Sequence, residues 1–148
     1  MAIKKLALLI PFLLAGNAWA NVVEHCPRAA DIQEVKDTGT YTAKSVGGNM
    51  DWHGTSYSGR GPVAQFDSAR FSPTGEGAAV DGVVVGELRR CSYKLQDGGD
   101  LSMQFKDNGT LSSIRTDGSW EPYYALYDCY AKTETECTFV ELPHPKRT

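Results

Sequence analysis

"ELRRCSYKLQDGGDLSMQFKDNG", residues 87–109, decides the fold. Before its two glycines, Cys91, Tyr93 and Leu95 alternate with Arg90, Ser92 and Lys94. After them, Leu101, Met103 and Phe105 alternate with Ser102, Gln104 and Lys106. A period of two sorts the side chains onto the two faces of a strand. Between the runs, Asp97, Gly98, Gly99 and Asp100 supply the permissive backbone of a tight turn. The stretch predicts an antiparallel hairpin with one apolar and one polar face.

The same pattern extends outward. Turn residues punctuate short runs rich in tyrosine, valine, threonine and phenylalanine, which predicts further strands over 40–46, 50–57, 63–66, 80–85, 110–115, 123–131 and 137–142. Within 50–57, Met50, Trp52 and Gly54 fall on one face and Asp51, His53 and Thr55 on the other. Trp52 then belongs to the core and His53 to the wetter side, so the adjacent Asp51, Trp52 and His53 are not a cluster. "PRAADIQEV", residues 27–35, predicts one short N-terminal helix, with Pro27 at its first position and Ile32 and Val35 three apart. The expected fold is mainly β: an antiparallel sandwich or partly open barrel of about seven strands plus that helix. Crossover helices for a parallel sheet have no room.

The chain opens with a leader pattern. Lys4 and Lys5 precede the apolar run 6–14, and Ala18-Trp19-Ala20 is a small-x-small cleavage box, so residues 1–20 read as a signal peptide. Of 148 residues, removing 20 leaves 128, a single exported domain over 21–148. Of the 15 basic residues, Lys4 and Lys5 leave with the leader, so 13 face 18 acidic ones and the charge is −5. Nucleic acid and anionic membrane surfaces are poor partners for such a surface. No later segment offers the twenty apolar residues of a membrane span. The expected location is the periplasm or the extracellular space.

All four cysteines, Cys26, Cys91, Cys129 and Cys137, lie after the leader. An even count in a small exported domain predicts two disulfides, and no C-x2-C pair suggests zinc instead. Of the three pairings, Cys129–Cys137 is favoured because the polar "YAKTETE" between them can turn a hairpin. Cys26–Cys91 follows. In a chain-entropy account the longer loop is worth about 4 kcal/mol and the shorter about 2.5 kcal/mol.

"CPRAADIQEV", "GTYTA", "DWHG", "CSY" and the closing "C…CTF" together resemble a family of small exported bacterial proteins of unknown function. The resemblance spans most of residues 21–148. It implies a disulfide-bearing β domain outside the cytoplasm, and it brings no catalytic residues.

Chemistry is scarce in the sequence. "GTSYSG" is not the G-x-S-x-G elbow of a serine hydrolase. His25, His53 and His144 lack metal-ligand spacing, and no phosphate-cradling loop is present. No catalytic residue, metal or cofactor is therefore expected. The acidic residues permit many carboxylate pairs without selecting one. A binding surface is better supported. "SWEPYYALYDCYA", residues 119–131, carries Trp120, Tyr123, Tyr124, Tyr127 and Tyr130. Rings with polar tips suit contact surfaces. Read as one strand, it groups Tyr124 and Tyr130 with Leu126, and Tyr123 and Tyr127 with Cys129. The glycine-rich segment 56–62 reads as a flexible surface loop with Arg60 at its tip. The candidate binding surface is thus Arg60, Trp120, Tyr124, Tyr130 and His53. The expected function is binding or inhibition of a secreted or periplasmic protein, or of an envelope glycan. A small carboxylate-using hydrolase and a structural part of an envelope assembly are the alternatives.

Overall fold

The computed structural model describes residues 22–75 and 79–143; the predicted leader, residues 1–20, and the tail bearing His144 lie outside them. Among the described residues, eleven strands form one curled antiparallel sheet: β1 (Val23–His25), β2 (Gln33–Glu34), β3 (Thr40–Ala43), β4 (Trp52–Thr55), β5 (Val63–Pro73), β6 (Val83–Leu95), β7 (Asp100–Phe105), β8 (Ser112–Arg115), β9 (Trp120–Tyr123), β10 (Leu126–Cys129) and β11 (Thr138–Glu141). The shape is an open half-barrel. The hairpin of 87–109 forms as expected, with Cys91 opposite Met103 and Tyr93 opposite Leu101.

The expected count of about seven strands is too low, because the short edge strands β1 and β2 show no alternation of their own and the predicted 123–131 strand is two. The two longest strands are each only partly marked in the sequence. β5 runs eleven residues, but its pairing with β6 shifts register between Val63 and Gln65, Phe66 and Ser68, and Arg70 and Phe71. Each irregularity breaks the alternation that marks a strand while bending the sheet. The last half of the predicted 80–85 strand, from Val83, continues into the first arm of the hairpin as one strand, β6, whereas Asp81 and Gly82 form a turn. The predicted 123–131 strand is two, because the chain reverses at Tyr124 and Ala125. Tyr124 has φ of 53°, the left-handed geometry that a two-residue hairpin turn requires.

The expected helix over 27–35 is also corrected, and no α-helix occurs among the described residues. Ala29–Asp31 makes a single 3-10 turn, and Gln33 and Glu34 pair with Thr42 and Tyr41 as an edge strand. Cys26 is tied to Cys91 at one end and strand pairing holds the other, leaving too few residues to nucleate a helix.

β6 organises the sheet. One of its edges pairs along its length with β5, and β5 leads on to β10 and β9. The other edge forks: Val83–Gly86 pair with β8, whereas Cys91–Lys94 pair with β7. One wing continues as β8, β11 and β1, the other as β7, β4, β3 and β2. The wings meet in an aromatic core. The rings of Trp52 and Phe105 lie 5.1 Å apart, Trp52 and Phe139 6.0 Å, and Phe105 and Phe139 5.1 Å. Trp52 is thus the core anchor its alternation predicts. Gly54 is explained by close approach: a Cβ there would sit 2.2 Å from the Ser102 carbonyl oxygen on β7.

Both disulfides have the favoured pairing. Cys26–Cys91 ties the end of β1 to the middle of β6, and Cys129–Cys137 ties β10 to the start of β11, with Cα separations of 5.9 and 5.8 Å. No helix among the described residues is long and apolar enough to cross a membrane.

Candidate binding surface

The face of β9, β10 and β5 that points away from the core carries an ordered charged and aromatic group. Asp128 on β10 stands in register with Arg70 on β5 and Glu121 on β9. Arg70 donates from Nε to Asp128 Oδ1 at 2.8 Å and from Nη2 to Oδ2 at 2.9 Å. The Tyr130 hydroxyl donates to the same Oδ2 at 3.0 Å. The Arg70 guanidinium also stacks on Tyr123, 5.5 Å from the ring centre, and Tyr123 meets Tyr124 edge-on at 4.8 Å. Such stacking combines cation–π attraction with a fixed ring orientation.

Electrostatics follow from this geometry. The hydrogen bonds from Arg70 hold the Asp128 carboxyl below its ordinary range, against the opposing effect of burial. The bond to Asp128 raises the Tyr130 phenol, so Tyr130 stays a neutral donor. Asp128 is 2 % exposed, yet Tyr124 is 93 % and Tyr130 60 % exposed. An ion pair with a buried carboxylate and a partly exposed guanidinium therefore anchors rings that stand in solvent.

The expected site residues are not all brought together. Tyr124 and Tyr130 belong to this face, but the turn at Tyr124 reverses the expected grouping: Tyr123, not Tyr127, joins Tyr130. Tyr127 turns inward with Cys129 and packs against the core. Trp120 is a correction. It is 3 % exposed, its ring lies 6.0 Å from Phe71, and its indole N–H donates to the Thr138 carbonyl at 2.7 Å. Its position opposite Cys129 sends it to the core face, so it supports the surface without forming it. His53 is exposed on β4, as alternation predicts. Three strand steps separate β4 from β5, about 14 Å at the usual spacing, so His53 is a separate feature.

Arg60 lies beyond the opposite end of β5, and its loop is stapled rather than flexible. The Ser56 hydroxyl donates to the Asp100 carbonyl at 2.7 Å, the Arg60 N–H to Asp97 at 2.9 Å, and the Gly61 N–H to Glu34 at 2.9 Å. The Arg60 guanidinium folds back onto the carbonyls of Gly59 and Ser56, at 2.8 and 3.3 Å. The loop instead presents Tyr57, 94 % exposed, which the sequence did not single out. Arg70, Asp128 and Tyr123 were missed as well. The pairing of β5 with β10 joins residues 58 apart in the chain, and no local pattern announces it.

A second polar group surrounds Lys106. Its ammonium donates to both Glu141 oxygens at 2.7 and 3.0 Å, Ser45 donates to Asp51 at 2.7 Å, and Glu24 accepts the Val46 N–H at 3.0 Å. Burial raises the Glu24 carboxyl, with nearby Asp51 adding to the rise. Among the described residues, no group of three or more His, Cys, Asp or Glu is arranged to hold a metal.

A family model described as Protein of unknown function (DUF3757) matches residues 21–140. No curated protein and no solved structure matches the chain.

Proposed function

From a chain that belongs to the DUF3757 family of proteins of unknown function, we propose an exported, non-enzymatic binding module whose contact surface is the tyrosine face around Arg70 and Asp128. The observation that carries this proposal is an ion pair with a buried carboxylate that holds exposed Tyr130 and Tyr123, with exposed Tyr124 edge-on to Tyr123. Rings fixed before contact lose little side-chain entropy on binding, and tyrosine offers apolar area with a hydrogen-bonding tip. Two disulfides stiffen the scaffold beneath and suit an oxidising compartment, as does the leader pattern of residues 1–20. The partner is a secreted or periplasmic protein, which the module blocks or carries, or a glycan of the cell envelope.

The test is affinity capture with the oxidised, exported form as bait, beside its Tyr124→Ala/Tyr130→Ala variant. Envelope extract and a glycan array serve as prey. A partner held by the parent and lost by the equally folded variant supports the proposal. Equal retention by both, or a substrate turned over by the parent, overturns it.

A further inference from the structure

β1 and β2 are both edge strands: β1 pairs only with β11, and β2 only with β3. In the chain they are separated only by residues 26–32. Among the described residues the sheet has a third edge at β9, which pairs only with β10, but β1 and β2 are the two edges joined by a short strap. Cys26 pins that strap to Cys91, and the Tyr93 hydroxyl pins it by donating to the Pro27 carbonyl at 2.5 Å. An open groove of about 460 Å³ lies along the strap, lined by residues of β1, β2, the end of β3 and the loop that follows β3. That volume lies within the usual range of ligand sites. No lining residue comes from β5, β9 or β10, so the groove is distinct from the tyrosine face.

Its chemistry is mixed in a particular way. Arg28, Lys44 and His25 line it, with Asp31 the one carboxylate among the lining residues. Neither Arg28 nor Lys44 takes part in an ion pair among the described residues. Beside them stand Val46, 52 % exposed, and Met50, 61 % exposed. A surplus of cations is notable in a domain whose own charge is −5. Free sheet edges accept extended chains through main-chain hydrogen bonds, and an extended chain sends alternate side chains to opposite sides.

We infer that this groove is a docking site for a short extended peptide segment in which carboxylate and apolar side chains alternate. The carboxylates meet Arg28 and Lys44, the apolar side chains meet Val46 and Met50, and the peptide backbone pairs with a free edge. Attraction to the cations supplies selectivity against neutral and basic segments.

The probe is acetyl-Asp-Val-Asp-Val-Asp-amide, titrated into the isotope-labelled, oxidised, exported form and followed by amide NMR. Its Asn-for-Asp and Lys-for-Asp analogues run alongside. Shifts confined to the strap, β2 and the 44–50 loop are expected for the acidic peptide. Arg28→Glu/Lys44→Glu should weaken binding about tenfold or more while keeping a dispersed spectrum, with Arg28→Gln/Lys44→Gln in between. Tyr124→Ala should leave the affinity unchanged, which separates this site from the tyrosine face. Three results would overturn the inference: no shifts at millimolar peptide, equal response to the Asn analogue, or shifts centred on β5 and β10. Dilution-dependent shifts of the same residues without peptide would assign the groove to a second copy of the chain, and would also overturn it.

Discussion

Arg70 and Asp128 face each other across β5 and β10 and close a two-pronged ion pair, with the Tyr130 hydroxyl on the same carboxylate. This one contact links stability to surface. It joins strands from distant parts of the chain, and it fixes Tyr130 directly and Tyr123 through the stacked guanidinium.

Asp128→Asn removes the charge that Arg70 and Tyr130 share. We expect a loss of about 2 kcal/mol in urea unfolding, the usual scale for hydrogen bonds to a charged group. The pH dependence follows from the lowered Asp128 carboxyl. Its contribution is fully present above the unfolded value, about 3.9, and is lost as pH falls through the lower folded value. The variant should therefore lack part of the acid-induced loss of stability that the parent shows below about pH 4.

Glu24 behaves in the opposite sense. Burial raises its carboxyl in the folded chain, so the folded state holds the proton more tightly than the unfolded state does. Stability from this group grows as pH falls from neutral through the raised folded value towards the unfolded one, and is lost as pH rises again. Glu24→Gln keeps an oxygen for the Val46 N–H and removes the charge. Its melting temperature should be higher than the parent's at neutral pH and should gain less on acidification.

Gly54→Ala places a methyl group where the β7 backbone already lies. Because the obstructing atom is a main-chain oxygen, neither strand can yield cheaply. We expect a destabilisation of about 3 kcal/mol, at the upper end for overpacking, measured by chemical unfolding. Tyr57→Ala, at an exposed loop tip, should change stability by less than about 0.5 kcal/mol.

The two disulfides should differ in worth. Replacing Cys26 and Cys91 together opens a loop of sequence separation 65, whereas replacing Cys129 and Cys137 opens one of 8. In the chain-entropy account the costs are about 4 and about 2.5 kcal/mol. Parallel unfolding of the two double-alanine variants under non-reducing conditions checks the order.

Much of this architecture was legible wherever the pattern was local. The 87–109 hairpin, the inward Trp52 and the outward His53 all follow from strict alternation. The pairing of Cys129 with Cys137 follows from the short polar turn between them. What was not legible depends on irregularity or distance. The bulges in β5 space Val63, Phe66, Ala69 and Phe71 unevenly, which hid the strand that carries Arg70. A tyrosine at a left-handed turn position is uncommon, so 123–131 read as one strand, and Trp120 was grouped with the surface tyrosines. The 56–62 loop looked flexible because its glycines were visible, while its hydrogen-bond partners, Glu34, Asp97 and Asp100, lie elsewhere in the chain.

The most direct measurement of the central claim is site-specific photo-crosslinking. A benzophenone side chain, which inserts into protein or sugar C–H bonds, replaces Tyr124 in one form of the chain and Tyr57 in another. Both forms are irradiated in the producing cell's envelope. The account predicts a discrete adduct from position 124 that disappears when Asp128→Asn is added, and none from position 57. An adduct from position 57 alone, or none from either, would contradict it.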